Sequence, residues 1–84
     1  MKVIRTALFS VLKRFPEHQN NAKRLFRESE RFRTICEDFD NCVQALDHWN
    51  RSKEELAPIR RAEYSGIVQE LEDEILKKLK EFGQ

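Results

Sequence analysis

A hydrophobic residue recurs every seven positions through the middle of the chain, at Leu25, Phe32, Phe39 and Leu46. A second set follows three positions after the last three of these, at Ile35, Cys42 and Trp49. This spacing is the a/d pattern of a helix that packs lengthwise along another helix. It predicts a long helix over residues 17–50.

Two flanking segments also have helical spacing. Residues 1–15 place Ile4, Leu8, Val11, Leu12 and Phe15 on one stripe, which predicts a short amphipathic helix. We expect it to end at Phe15, because the residue before Pro16 is disfavoured in the helical region.

A third helix is predicted over residues 58–82, with Pro58 at its start and Gly83 as its terminator. Its inward stripe contains Tyr64, Val68, Leu71, Ile75 and Phe82, broadened by Ile67 and Leu79.

The connection between the two long helices is predicted at Arg51–Ala57, with Asn50 as a left-handed cap. Two long helices joined this way lie antiparallel. A bare hairpin buries too little surface to offset chain entropy, and two remedies remain open. The N-terminal helix folds back to complete a three-helix bundle, or hairpins associate into dimers or tetramers. The long seam and the short first helix favour association.

Composition places the chain in one small domain of residues 1–84. Charged residues make up 37% of the 84 residues and only two are glycine, which favours solvated helices. The chain has neither the roughly 20 apolar residues of a membrane span nor a signal peptide, so we expect a cytoplasmic protein. Cys36 and Cys42 lie too far apart on one helix to form a disulfide, and we expect buried thiols.

Charge is unevenly distributed along the chain. Residues 1–33 contain nine Lys and Arg against three Glu, and residues 34–57 contain two basic against six acidic residues. The densest basic tract includes Lys23, Arg24, Arg27 and Arg31, and on one continuous helix the three arginines share a face. This face either binds an anionic partner such as nucleic acid or is an ordinary solvated surface, which we favour.

The N-terminal helix has four basic residues and no acidic one. Three roles remain open for it: packing on its own bundle, docking on a partner protein, or resting on an anionic membrane surface. We favour packing.

The residues that carry enzyme chemistry form no recognisable constellation in this sequence. His18 and His48 are thirty residues apart and belong to no paired-ligand motif. No serine or cysteine has a base and an orienting partner in a known spacing. We therefore expect no enzyme, no metal and no cofactor.

Part of the sequence resembles the YdcH-like family of small bacterial helical-hairpin proteins. The matching residues are Phe15-Pro16-Glu17, Arg24-Leu25, Arg31-Phe32-Arg33 and Leu71-Glu72-Asp73-Glu74-Ile75. The resemblance extends over about two-thirds of the chain. It departs from the family at Ser29-Glu30, where the family has Asn-Pro, and residues 1–14 look like an extension. The resemblance implies a helical hairpin that oligomerises. It implies no enzymatic activity, because none is established for the family.

These observations predict an all-α antiparallel hairpin with a short N-terminal helix. We expect it to act through protein–protein association, as an oligomeric scaffold or adaptor. The predicted association interface consists of Leu25, Phe32, Ile35, Phe39, Cys42, Leu46, Trp49, Val68, Leu71 and Ile75. The alternatives are nucleic-acid binding around residues 23–33 and membrane-surface association through residues 1–15.

Overall fold

The chain folds into four α-helices and a short 3-10 turn in the computed structural model, which describes residues 2–82 and their side chains from Thr6 onward. Helix α1 spans Lys2–Arg14, α2 spans Gln19–Glu28, α3 spans Glu30–Arg51 and α4 spans Ala57–Phe82. The 3-10 turn, Pro16–His18, joins α1 to α2. The prediction of an all-α fold with a long antiparallel hairpin is confirmed by the packing of α3 against α4.

The joint after α1 forms where the sequence predicts it. Phe15 leaves the helical region with φ −125° and ψ 66°, as expected of a residue that precedes proline. Pro16 then opens the 3-10 turn, a position that needs no backbone N–H. The side chain of Ile4, assigned to the apolar stripe of α1, lies outside the described residues.

The prediction of one helix over residues 17–50 is wrong at Ser29. This residue is extended, with φ −122° and ψ 114°, and separates α2 from α3. Its hydroxyl oxygen accepts a hydrogen bond from the Phe32 N–H at 3.1 Å, which makes Ser29 the N-cap of α3. The break therefore comes from a cap, since the segment Glu28–Glu30 contains neither proline nor glycine.

The hairpin connection is shorter than predicted. Helix α3 continues through Asn50 to Arg51, and α4 begins at Ala57, whose N–H donates to the Glu54 carbonyl at 3.0 Å. Asn50 is helical, and no described non-glycine residue has a positive φ, so the predicted left-handed cap is wrong. Gly83, the predicted terminator of α4, lies outside the described residues.

The core forms where α3 packs between α1 and α4. The fully buried residues of α1 are Ala7 and Val11, and Leu8, Leu12 and Phe15 pack partly buried against the same cluster. Of the two arrangements that the sequence leaves open, the fold-back of the N-terminal helix is the one the structure contains. Association of hairpins into dimers or tetramers stays a prediction.

Two polar links fasten α1 to the long helices. The Ser10 hydroxyl donates to a carboxylate oxygen of Asp40 on α3, and the Gln44 amide donates to the other oxygen at 2.9 Å. Asp40 is the one buried charged residue among those described, so these donors offset its loss of hydration. Arg14 forms a salt bridge with Glu72 on α4. Helix α1 is thus held to both arms of the hairpin.

Candidate interaction surface

Four residues of the predicted association interface lie in the interior of the chain's own bundle. Phe32, Ile35, Phe39 and Ile75 are buried in the cluster shared by α1, α3 and α4. While the bundle is closed they contact residues of their own chain, and their part in an intermolecular interface stays a prediction. The a/d pattern identified the inward face, but α1 and α4 cover it from within the same chain.

The other six predicted interface residues are half-buried: Leu25, Cys42, Leu46, Trp49, Val68 and Leu71. Leu25, Val68 and Leu71 pack against the edge of the core. Leu46 and Val68 line a groove that Lys13 and Arg14, at the end of α1, partly close. These six residues are therefore only partly accessible.

Helix α1 is too short to cover the hairpin over its whole length. At about 1.5 Å of rise per residue, its 13 residues reach roughly 20 Å, while the 22 residues of α3 and the 26 of α4 reach roughly 33 and 39 Å. The molecule measures 45 × 26 × 20 Å, and its long axis reflects this difference. The hairpin end is consequently two helices thick.

Exposed apolar side chains gather at that end. Among the described residues, the exposed large hydrophobics are Phe9 at 61%, Leu56 at 52%, Ile59 at 57% and Ile67 at 42%. Three of these four lie within the twelve residues 56–67. Together with the half-buried rings of Trp49 and Tyr64 they form a surface that we call the hairpin-end patch: Trp49, Leu56, Ile59, Tyr64 and Ile67.

The patch follows the end of the connection and the first turns of α4. Leu56 immediately precedes α4, and Ile67 lies eleven positions further along the chain, with Arg60 and Glu63 between them in sequence. Trp49, Tyr64 and Ile67 line one shallow depression between α3 and α4 with the Arg60–Glu63 ion pair, whose N···O distance is 2.9 Å. The assignment of Ile67 to the inward stripe is thus wrong.

Leu56 and Ile59 were not among the predicted site residues. The available signal for Ile59 was its position, since it falls off the stripe defined by Val68, Leu71 and Ile75 when α4 is drawn at 100° per residue. An apolar residue off the buried stripe is a candidate surface contact.

Charges around the patch are balanced. Residues 47–67 contain four acidic and four basic side chains, so this end has no net charge. Two local ion pairs, Asp47–Arg51 and Arg60–Glu63, belong to this set. The hairpin end therefore offers no single-sign field to an approaching partner.

The basic tract is divided between two helices. Lys23, Arg24 and Arg27 lie on α2 and Arg31 on α3, and all four are exposed. The predicted continuous face of Arg24, Arg27 and Arg31 is wrong, because the extended backbone at Ser29 interrupts the register. Within residues 6–82 these four residues form no ion pair, and the Arg24 guanidinium lies 5.1 Å from the centre of the Phe82 ring. Nucleic-acid binding by this tract stays a prediction.

The histidines and cysteines lie apart from one another. His48 is exposed and contacts the Trp49 ring edge to face, with 4.9 Å between ring centres. In the described part of the chain, no group of three or more His, Cys, Asp or Glu is placed to hold a metal ion. Both cysteines are free thiols on α3. Cys36 is buried as predicted, whereas Cys42 is only half-buried, which corrects the expectation for it.

Burial makes the Cys36 thiol a probe of folding at alkaline pH. Loss of hydration, with a smaller contribution from the nearby Glu37 carboxylate, raises the pKa of Cys36 to about 12. The unfolded chain, with a thiol pKa of about 8.5, loses this proton first as the pH rises. We expect the contribution of Cys36 to the free energy of unfolding to be constant below the unfolded-state pKa and to fall as the pH rises from there toward 12.

The measurement is urea unfolding of the wild type and Cys36→Ala from neutral to alkaline pH. The difference between the two should shrink as the pH rises, because only the wild type loses the contribution of the neutral buried thiol. Cys42→Ala is the matched control: its thiol pKa is also raised, by partial burial and then by Asp38, so it isolates the effect of the deeper site. A Cys36→Ala difference that is constant with pH contradicts the assignment.

None of the described helices is both long enough and apolar enough to cross a membrane. The apolar stripe of α1 faces its own bundle from Ala7 to Phe15. Among the described side chains of α1, Phe9 is the large apolar one that is exposed. The Lys13 amine lies 5.8 Å from the centre of its ring. Membrane-surface association through residues 1–15 would require that stripe to leave the core.

Similarity to known proteins supplies no function for these surfaces. No protein-family model, curated protein or solved structure matches the chain, and membership of the YdcH-like family stays a prediction.

Proposed function

We propose that this protein is a non-enzymatic association module and that its hairpin-end patch binds a second copy of the chain. The observation that carries the proposal is the gathering of Leu56, Ile59 and Ile67, each at least 42% exposed, beside two half-buried aromatic rings. Scattered exposed hydrophobics are normal on a monomer, but three large ones within twelve residues at one end of the molecule, interspersed with polar residues, are typical of an interaction site.

Charge favours a second copy as the occupant. A two-fold dimer places the same patch on both sides, so each charge faces a copy of its own surface. The four acidic and four basic residues of 47–67 allow opposite charges to meet across such an axis without net repulsion. A strongly acidic or basic partner would find no complementary field here.

The size of the patch sets the expected strength. A standard interface buries about 800 Å² on each partner with some 20–30 residues, whereas the patch has five residues and its rim a few more. Trp and Tyr are well suited to anchor it, because both are enriched among the residues that dominate binding energy. We therefore expect reversible association with a micromolar or weaker dissociation constant.

Analytical ultracentrifugation over a range of concentrations tests this. The wild type should shift from monomer to dimer, and Leu56→Glu/Ile67→Glu should weaken the association at least tenfold, because two carboxylates would then be desolvated on each side. Both residues are exposed, so the monomer should keep its stability. Phe9→Glu, an exposed apolar residue on α1, is the matched control and should associate like the wild type.

A wild type that stays monomeric at millimolar concentration would overturn the proposal. So would equal weakening by Phe9→Glu, which would place the contact elsewhere on the molecule.

A further inference from the structure

The break between α2 and α3 rests on two side chains. In a continuous helix the carbonyls of Phe26 and Arg27 would accept from backbone N–H groups four residues later. Here the Arg33 guanidinium donates to both, at 2.8 and 3.1 Å. The Ser29 hydroxyl oxygen meanwhile accepts a hydrogen bond from the Phe32 N–H. Three of the backbone groups that the break releases, the carbonyls of Phe26 and Arg27 and the N–H of Phe32, are thus satisfied by side chains that could let them go.

The sequence through the break is compatible with a straight helix. Only Ser29 is non-helical between Glu28 and Glu30, and neither proline nor glycine occurs between residues 17 and 57. Leu25 and Phe32 are seven residues apart, so straightening would return Leu25 to the stripe of Phe32 and Phe39. The local preference of the chain and its folded conformation therefore disagree at one residue.

Straightening would turn α2 and α3 into one helix over residues 19–51, about 50 Å long. The segment of α1 and α2, residues 2–28, which we call the arm, would then leave its own hairpin. It would expose Ala7, Val11, Ala22 and Phe26 on the arm. On the hairpin it would uncover residues of the same cluster, including Phe39 and Ile75.

These two uncovered surfaces already fit each other, because they pack together within one chain. We propose that a second copy of this chain supplies the missing arm, so that two straightened chains exchange arms in a two-fold dimer. Such a dimer repeats the contacts of the monomer, including the Ser10–Asp40 hydrogen bond and the Arg14–Glu72 ion pair, between chains. Its interface is distinct from the hairpin-end patch and does not depend on it.

Two hinges per dimer make the equilibrium sensitive to residue 29. Ser29→Ala removes the N-cap and improves helix propensity. Together these effects should raise the equilibrium constant for straightening each hinge by about tenfold. Because both hinges straighten, the dimerisation constant should rise by about a hundredfold, the square of that factor. Arg33→Ala should act in the same direction. Ser29→Gly opposes straightening while still serving as a cap, and it should keep the chain monomeric.

The experiment is refolding from denaturant at micromolar and millimolar concentration, followed by size-exclusion chromatography with light scattering. We expect a dimer from wild type refolded at high concentration, more from Ser29→Ala, and less from Ser29→Gly. Asn41→Ala, an exposed α3 residue about three turns beyond the hinge, is the control and should behave as the wild type. Circular dichroism verifies that each variant is folded.

Two readouts separate this dimer from association through the patch. An exchanged dimer dissociates slowly on dilution, since its core must open, and it forms equally with Leu56→Glu/Ile67→Glu. In a dimer of labelled and unlabelled chains, isotope-filtered NMR should show contacts between Ser10 of one chain and Asp40 of the other. The proposal is overturned if Ser29→Ala refolds only to monomer, or if its dimer gives contacts between chains at the hairpin end alone.

Discussion

Replacing Phe39 with alanine is expected to lower the free energy of unfolding by about 3–5 kcal/mol. Phe39 is 2% exposed and belongs to the cluster in which α1, α3 and α4 meet. Truncation to alanine removes the whole phenyl ring from a site whose neighbours come from three helices, so the cavity cannot collapse easily. Small domains have total stabilities of about 5–15 kcal/mol, and one of 84 residues lies toward the lower end. Much of the variant should therefore be unfolded at ambient temperature.

Urea and thermal unfolding followed by circular dichroism measure this effect. Ile67→Ala is the matched control, because it also truncates a large apolar side chain but one that is 42% exposed. Its cost should stay below about 1 kcal/mol. Similar losses in the two variants would mean that Phe39 does not occupy the core described above.

Replacing Val11 with aspartate should have the second largest effect, a loss of about 3 kcal/mol or more. Val11 is fully buried on α1, so the carboxylate would have to lose its hydration there or pull α1 off the bundle. Phe9→Asp places the same charge on the same helix at a position that is 61% exposed. We expect the free energy of unfolding of Phe9→Asp to be close to that of the wild type.

Hydrogen exchange distinguishes the two ways in which Val11→Asp can fail. If α1 alone detaches, amides of α1 lose protection while those of α3 and α4 retain some of theirs; global unfolding removes both. Equal stability of the Val11 and Phe9 variants would contradict the packing of α1 on the core. It would then favour the docking or membrane roles that the sequence left open for this helix.

Periodicity alone predicted the elements that rely on local pattern. The stripes of Val11, Phe39 and Ile75 located α1, α3 and α4 to within a residue or two, apart from the start of α3. It could not choose between fold-back and association, because one apolar stripe is satisfied equally by a helix of its own chain or of another. That choice depends on whether the joint at Phe15–Pro16 turns the chain back, which is tertiary geometry.

The break at Ser29 was beyond prediction for a different reason. Glu28, Ser29 and Glu30 suit a helix interior, and the seven-residue repeat continues from Leu25 to Phe32. The break is held by the Ser29 cap together with the Arg33 guanidinium on two carbonyls of α2, and the arginine contact has no sequence signature. The patch was missed in a similar way, because Ile67 was credited to the stripe that its neighbour Val68 occupies.

The short reach of α1 divides the molecule along its length. At one end, substitutions in Phe32, Phe39 or Ile75 change the fold; at the other, Leu56, Ile59 and Ile67 contribute little to it. If the hairpin-end patch binds a second copy as proposed, selection on stability and selection on binding act on different residues. The hairpin end can then accumulate substitutions and acquire a new partner while the three-helix core at the other end of the molecule stays intact.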